Sequence, residues 1–178
     1  MKSWIHRFDS TIMSGIANWS VSLKPFFLAI TTLGDPIVTV GIGIVVAVYG
    51  YFQTNMRLVI SAALIWVTLG FGAILKLLFG RDRPNTEYAN NLHFATNSFP
   101  SGHASGAMVA YGLLAYMAWR LLPQPWSYIA VVLLGILIVL VGLSRIYLGA
   151  HFPSDVIAGW ALGGVTLLVV LFVIRPLS

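Results

Sequence analysis

One histidine of this chain stands in a setting that suits the binding of an anion. His103 ends the segment Pro100-Ser101-Gly102-His103, directly before an apolar stretch. Ser101 suits a helix N-cap, Gly102 lets backbone approach a ligand, and the free amides of a helix start form an anion site. His103 would then lie in the first turn beside the anion. The alternative interpretation of this segment alone is an ordinary cap followed by a chance histidine.

A second histidine has a carboxylate partner at a useful spacing. His151 follows Ser144-Arg145 and precedes Asp155, and Pro153 suits the first turn of a following helix. In that geometry Asp155 can accept a hydrogen bond from one nitrogen of His151. The bond fixes the tautomer and leaves the other nitrogen as a nucleophile or base. The alternative is a structural His–Asp pair that closes a loop.

Cations at helical spacing precede both histidines. Lys76 lies two helical turns before Arg83, so the two side chains point the same way, and Pro84 then ends the helix. A lysine within an apolar stretch is costly unless it reaches an anion or the interface, and taken alone it is best interpreted as a snorkelling anchor. The paired Arg83 weakens that interpretation.

These groups together suit a phosphoryl group in transfer. The sequence offers three cations (Lys76, Arg83 and Arg145), a helix N-terminus and two histidines, but no carboxylate cluster suited to a metal. Cations and amides stabilise the equatorial oxygens, and two histidines can divide attack from protonation of the leaving oxygen. We therefore predict phosphoryl transfer through a phosphohistidine, without a metal or another cofactor.

The elements that must position these residues are apolar. Hydrophobic residues make up 58% of the 178 residues and charged residues only 8%, whereas soluble domains carry about 25% charged residues. Five stretches approach the ~20 residues that a membrane-crossing helix needs: 36–53, 58–79, 103–122, 127–143 and 156–174. We predict an all-α, polytopic transmembrane helix bundle that forms one membrane-embedded domain over residues 1–178.

The N-terminal segment differs from these stretches because polar residues interrupt it. Lys24 at mid-bilayer would cost roughly 2.5–3.5 kcal/mol. An interfacial helix, with Trp4 and Trp19 at headgroup level, avoids this cost. We therefore predict five spans preceded by an interfacial helix, and a sixth span is the alternative.

Successive loops alternate between the two membrane faces. The loop after the second span (80–102) and the loop after the fourth (144–155) therefore lie on the same face. This face gathers most of the histidines and acidic residues, which predicts a polar site at the mouth of the bundle. His93 has no partner at a telling spacing and is interpreted as a loop residue. Arg81 and Asp82 are expected to pair or to face solvent.

Three segments resemble the type 2 phosphatidic acid phosphatases, whose superfamily includes soluble vanadium haloperoxidases and bacterial acid phosphatases. They are Lys76 with six residues before Arg83-Pro84, then Pro100-Ser101-Gly102-His103, then Ser144-Arg145 with five residues before His151 and three more before Asp155. The resemblance implies that His151 is the nucleophile, that Asp155 orients it and that His103 protonates the leaving group. It assigns phosphate binding to Lys76, Arg83, Ser101, Gly102 and Arg145.

The resemblance also implies a membrane lipid substrate and a location. We expect hydrolysis of a lipid phosphate or diphosphate of the undecaprenyl diphosphate, phosphatidylglycerophosphate or phosphatidic acid type. The protein is expected in the cell membrane, with its active site on the non-cytoplasmic face. The positive loop residues do not fix this orientation.

Three other functions use some of the same features. A lipid phosphotransferase would need the same residues, with a hydroxyl in place of water. A non-enzymatic anion transporter would need polar residues through the whole bundle, and a vanadate-dependent oxidase is disfavoured because its relatives are soluble. The net charge is +5, but the Lys and Arg residues form no cluster that would indicate a nucleic-acid partner. Membrane lipids are the expected surroundings, and the sequence leaves the oligomeric state open.

Overall fold

The computed structural model describes residues 2–92 and 97–174, and within them the chain is helical without a β-strand. This confirms the predicted all-α class. A 3₁₀ turn at Val21–Leu23 separates the first two of eight α-helices, which are α1 (Lys2–Ala17), α2 (Lys24–Leu33), α3 (Pro36–Phe52), α4 (Met56–Phe79), α5 (Glu87–Asn90), α6 (Gly102–Leu121), α7 (Trp126–Tyr147) and α8 (Pro153–Ile174).

Local signals set the ends of the helices that carry the site. Asn55 caps α4 by accepting a hydrogen bond from the Leu58 amide at 3.2 Å. The same helix ends at Gly80, whose φ of 56° lies in the left-handed region that glycine adopts without strain. Ser101 is the N-cap of α6, as expected, and its Oγ lies 3.5 Å from the Ala104 amide.

The predicted apolar stretches correspond to α3, α4, α6, α7 and α8, but not all of these qualify as spans on their own. Three described helices (α4, α7 and α8) are long and apolar enough to cross a membrane. A fourth span results if Val21–Leu33 and Pro36–Phe52, bent by 42°, count together. The remaining stretch, α6, contains His103 and Arg120 as well as Gly, Ser and Tyr residues, which lower its mean hydropathy.

The composition of α6 follows from its place at the centre of the bundle, where α3, α4, α7 and α8 surround it. Its buried residues include Ala104, Ala107, Val109, Ala110 and Leu113. Small residues also let α8 approach closely, because a Cβ on Gly159 would lie 2.5 Å from the Ser101 carbonyl oxygen and one on Gly163 would lie 2.7 Å from that of Ser105. The outer helices instead expose large apolar side chains such as Leu77 and Phe172, as a lipid-facing surface requires.

The N-terminal helices pack on the end of the bundle that carries the connections 80–101 and 148–152. Helix α1 contacts α7 and α8, and α2 contacts α7. Phe27 of α2 stacks on Tyr147 with ring centroids 4.3 Å apart, and Trp19 packs against both rings. This places the polar N-terminal segment beside the connections that were predicted to form the site.

Candidate active site

The motif residues converge at one end of the bundle although they come from four helices and two connections. Lys76 lies in the last turn of α4 and Arg145 in the last turn of α7. Ser101 precedes the first turn of α6 and Asp155 lies in the first turn of α8. Arg83 and His151 occupy the connections after α4 and α7, and Gly102 and His103 begin α6.

The contact between His151 and Arg83 indicates the tautomer of the imidazole. Its Nε2 lies 3.3 Å from Nη1 of Arg83. A guanidinium only donates hydrogen bonds, so Nε2 must present its lone pair and the ring proton must lie on Nδ1. The nearest acceptor of that proton is Oδ2 of Asp155, 3.6 Å away and just beyond hydrogen-bond length.

Burial keeps this imidazole neutral. The His151 side chain is 2% exposed. Burial lowers the pKa of His151 from its ordinary 6.5 to about 3, opposed by Asp155 and reinforced by the positive charges of Arg145, Arg83 and Lys76. Near neutral pH Nε2 of His151 is therefore unprotonated, and its lone pair faces Arg83.

Asp155 is fixed from several directions and connects separate parts of the site. Its Oδ2 accepts a hydrogen bond from the Phe152 amide at 2.9 Å, and its Oδ1 accepts one from Arg81 at 2.6 Å. Its backbone carbonyl accepts the Ser101 amide at 3.0 Å. The start of α8 is thereby joined to the start of α6, which brings the two histidine motifs together.

Arg81 extends this network to the N-terminal helix. Its Nη2 contacts Oδ2 of Asp9 at 2.7 Å while its Nη1 contacts Asp155 and Ser154. Asp9 also accepts hydrogen bonds from the amide and hydroxyl of Ser154, and it is 2% exposed. Arg81 and Asp82 were expected to pair or to face solvent, but Arg81 pairs instead with Asp9 and Asp155, which lie far from it in sequence.

Each of the three motif cations donates a hydrogen bond to a neutral oxygen. Lys76 Nζ donates to the Asn97 carbonyl at 2.8 Å, Arg83 to the Ala150 carbonyl at 3.0 Å, and Arg145 to the Thr31 hydroxyl at 2.5 Å. Burial and the nearby Arg145 lower the pKa of Arg83. Neither Lys76 nor Arg145 forms an ion pair with an acidic residue in the described part of the chain, and the buried Nε of Arg145 has no hydrogen-bond partner there. The arrangement suits an anion.

His103 has a carboxylate partner from outside the motifs. Its Nε2 lies 2.7 Å from Oδ1 of Asp35, in the turn between α2 and α3. A Cβ on the preceding residue of its motif, Gly102, would meet no atom within 4 Å. Sequence reasoning placed Asp35 on the site face but did not pair it with His103, because 68 residues separate the two.

Two cavities flank the segment 81–83. One of about 390 Å³ has a polar lining that includes Arg83, Asn85, Asn90 and Asn97. The other, of about 480 Å³, is largely apolar and is lined by Ile5, His6, Phe79, Arg81, Phe99 and Ser154. His93 lies outside the described residues. Within 2–92 and 97–174, no group of three His, Cys, Asp or Glu side chains is arranged to hold a metal ion.

Comparison with known proteins identifies relatives by sequence. A phosphatidylglycerophosphatase B from Bacillus subtilis is 35% identical over 106 residues, which are 52% of this chain and 52% of that protein. A putative undecaprenyl-diphosphatase from Escherichia coli is 34% identical over 150 residues, 83% of this chain and 70% of that protein. The chain thus spans about half the length of the Bacillus relative and more of the Escherichia one.

Solved structures share the architecture. The crystal structure of a transmembrane PAP2-type phosphatidylglycerolphosphate phosphatase from Bacillus subtilis matches with a TM-score of 0.83 at 25% identity, over 98% of this chain and 89% of that one. LpxE from Aquifex aeolicus matches with a TM-score of 0.65 at 22% identity, a likeness of fold alone. A family model described as the PAP2 superfamily matches residues 56–176. That range contains all three motif segments that converge at the site, and the chain belongs to the PAP2 superfamily.

Proposed function

We propose that this protein hydrolyses a membrane lipid phosphate or diphosphate through a phosphohistidine on His151, without a metal ion. One observation carries the proposal. The Nε2 lone pair of a buried, neutral His151 faces Arg83, beside two further cations that no described carboxylate neutralises. A phosphate held by these cations would lie next to a nucleophile that needs no deprotonation.

The first chemical step would transfer the phosphoryl group to His151. A substrate phosphate replaces the contact between Arg83 and Nε2, so that Arg83, Lys76 and Arg145 bind its equatorial oxygens. The Nε2 lone pair then attacks phosphorus. Asp155 holds the Nδ1 side of the ring, where positive charge develops, and Arg81 and the Phe152 amide keep this carboxylate in place.

His103 would serve the leaving group and then water. Its imidazolium gives a proton to the departing oxygen in the first step. The neutral ring then accepts a proton from the water that attacks the phosphohistidine. Ser101 and Gly102, at the start of α6, would add amide hydrogen bonds to the bound phosphate.

A lipid substrate agrees with the surroundings of the site. The polar cavity beside Arg83 suits a phosphate headgroup, and the apolar cavity beside Phe79 and Phe99 suits a hydrocarbon chain. The relatives named for phosphatidylglycerophosphate and undecaprenyl diphosphate support the same class of substrate. We place the protein in the cell membrane, with the site on the non-cytoplasmic face.

The decisive experiment combines substrate release with trapping of the intermediate. Purified protein should release phosphate from at least one member of a panel of phosphatidic acid, phosphatidylglycerophosphate and undecaprenyl diphosphate. With p-nitrophenyl phosphate labelled at phosphorus, His103→Ala should accumulate phosphoenzyme because its second step stalls, whereas His151→Ala should carry no label. Label trapped only in His151→Ala would show that the two roles are reversed. Transfer to an added lipid alcohol in preference to water would favour a phosphotransferase.

A further inference from the structure

We propose that Asp35 is a positioning residue for His103, whose carboxylate orients the imidazole and stabilises the protonated form that the leaving group requires. The inference rests on the function proposed above. Asp35 lies outside the three motif segments, in the turn between α2 and α3. Its Oδ1 lies 2.7 Å from Nε2 of His103, a distance typical of a charge-assisted hydrogen bond.

The carboxylate of Asp35 makes this contact in place of a helix cap. Asp35 is the N-cap residue of α3, a position where an aspartate usually accepts a hydrogen bond from an amide of the first turn. Here the side chain forms no such bond. Removing its charge therefore tests the contact with His103 without removing a cap.

The turn that carries Asp35 is held closely against the neighbouring helices. A Cβ on Gly34 would overlap Val141 of α7 and would lie 3.3 Å from Cδ2 of His103, so glycine permits this approach. On the other side, the Tyr111 hydroxyl of α6 donates a hydrogen bond to the Leu33 carbonyl at 2.6 Å. The backbone of the turn is thus held by packing on both sides, while the Asp35 side chain itself is 45% exposed.

The two histidines have carboxylate partners in different electrostatic surroundings. Asp155, beside His151, is paired with Arg81 at 2.6 Å. Asp35 forms an ion pair only with His103 among the residues that the structure describes. A carboxylate neutralised by arginine favours a proton on its histidine less than one without such a partner. Of the two histidines, His103 therefore receives the stronger support for its protonated form from its carboxylate partner.

The other charges around α6 act on His103 in the direction opposite to this carboxylate. Arg145 of α7 and Arg83 of the connection after α4 act on His103 and oppose its protonation. Two further helices packed on α6 contribute Lys76 and Asp155, while α3 carries no charged residue. Burial and these cations disfavour the protonated form of His103, and the contact with Asp35 opposes them, so loss of Asp35 would make His103 a poorer proton donor.

The proton then moves through Nδ1, because Asp35 occupies Nε2. As Nε2 of His151 bonds to phosphorus, the bond to the leaving oxygen breaks with its electron pair on that oxygen, which takes the Nδ1 proton of His103. In the second step the water oxygen bonds to phosphorus and the phosphorus–nitrogen bond breaks, returning its electron pair to His151. The proton of that water goes to Nδ1 of His103, which restores the imidazolium beside Asp35.

The test compares Asp35→Asn and Asp35→Glu on two leaving groups. Glu87→Gln, at an exposed acid of α5, is the matched control. General acid catalysis contributes about 10²–10⁴-fold, mostly with poor leaving groups, so Asp35→Asn should lower kcat/KM on a lipid monoester about 10- to 100-fold. The nitrophenolate burst from p-nitrophenyl phosphate should fall less than about threefold. The alkaline limb of the lipid profile should also move to lower pH, because His103 loses its proton more readily. Asp35→Glu should recover much of the lipid activity.

Each other outcome has a defined meaning. Equal losses on both substrates with an unchanged pH profile, or an Asp35→Asn enzyme that equals Glu87→Gln, would overturn the role of Asp35 while leaving the phosphatase function intact. A wild-type protein that releases phosphate from no lipid would instead overturn the proposed function. If Asp35→Asn does not fold, Asp35→Glu decides: a lipid activity as low as that of His103→Ala would refute the inference.

Discussion

Loss of the Arg81 guanidinium should destabilise the protein measurably, because Arg81 neutralises two buried carboxylates. Arg81→Met keeps an apolar stem and removes the contacts at 2.7 Å to Asp9 and 2.6 Å to Asp155, whose side chains are 2% and 0% exposed. Removing one partner of a buried ion pair costs about 3–5 kcal/mol. Arg81 is itself 23% exposed and both carboxylates keep other donors, so after solvent screening we expect about 2–3 kcal/mol.

A double-mutant cycle measures the part of this energy that attaches α1. Arg81→Met, Asp9→Asn and the double variant would be compared by thermal unfolding in one detergent near pH 7. A loss of 1 kcal/mol lowers Tm by about 2–4 °C in chains of 150–250 residues, so Arg81→Met should lower it by about 4–12 °C. The coupling energy should be about 1–2 kcal/mol. Arg120→Met, at an exposed arginine near the end of α6, is the control and should change stability by less than about 0.5 kcal/mol.

Additive effects would refute this account. If the coupling energy is below about 0.5 kcal/mol, the pair between Arg81 and Asp9 does not hold α1. The apolar contacts of Met13 and Ile16 with the cluster around Ile146 would then be sufficient. A kinetic readout is independent of this result. Without Arg81, Asp155 should raise the pKa of His151 above about 3, and the acid limb of kcat/KM should move to higher pH.

Three further predictions concern metal dependence, topology and pH. Activity should survive excess EDTA, and vanadate should inhibit competitively as a five-coordinate mimic of phosphorus; abolition by EDTA with rescue by Mg²⁺ would contradict the mechanism. In this Cys-free chain, cysteines at Ser3 and Glu87 should be labelled from one side of the membrane and a cysteine at Gln124 from the other; labelling of Ser3 from the Gln124 side would favour a sixth span. Burial lowers the pKa of His151 to about 3 in the folded state, so the unfolded state takes up a proton between pH 6.5 and 3. The Tm of the wild type should therefore fall more steeply than that of His151→Asn as the pH drops below 6.5, and parallel curves would argue against a neutral, buried His151.

The sequence was informative where the signal is local or periodic. Helix starts followed from Ser101 and Pro153, and the register of Lys76 with Arg83 followed from helical geometry. Apolar length located the five long helices, although it did not show that α6 would have too low a hydropathy to qualify as a span. That difference arises because a central helix is covered by protein, so small residues serve it better than large apolar ones.

The partners of the motif residues could not be derived in the same way. Asp9 and Asp35 carry no spacing signal toward Arg81 and His103, since the contacts join residues 72 and 68 positions apart. From hydropathy, the N-terminal segment with its polar interruptions was predicted only to lie at the membrane surface. The packing of α1 and α2 over the site, with Thr31 bound to Arg145, depends on how whole helices meet.

The sequence by itself thus determined the chemistry that is available: two histidines, three cations and a helix N-terminus in an apolar chain. It could do so because residue type and short spacing fix charge, capping and helical register. Only the tertiary structure decided which carboxylate meets which histidine, and whether that carboxylate is already neutralised. Such pairings depend on distances between helices that are remote in sequence, and those distances set whether an imidazole is neutral or charged.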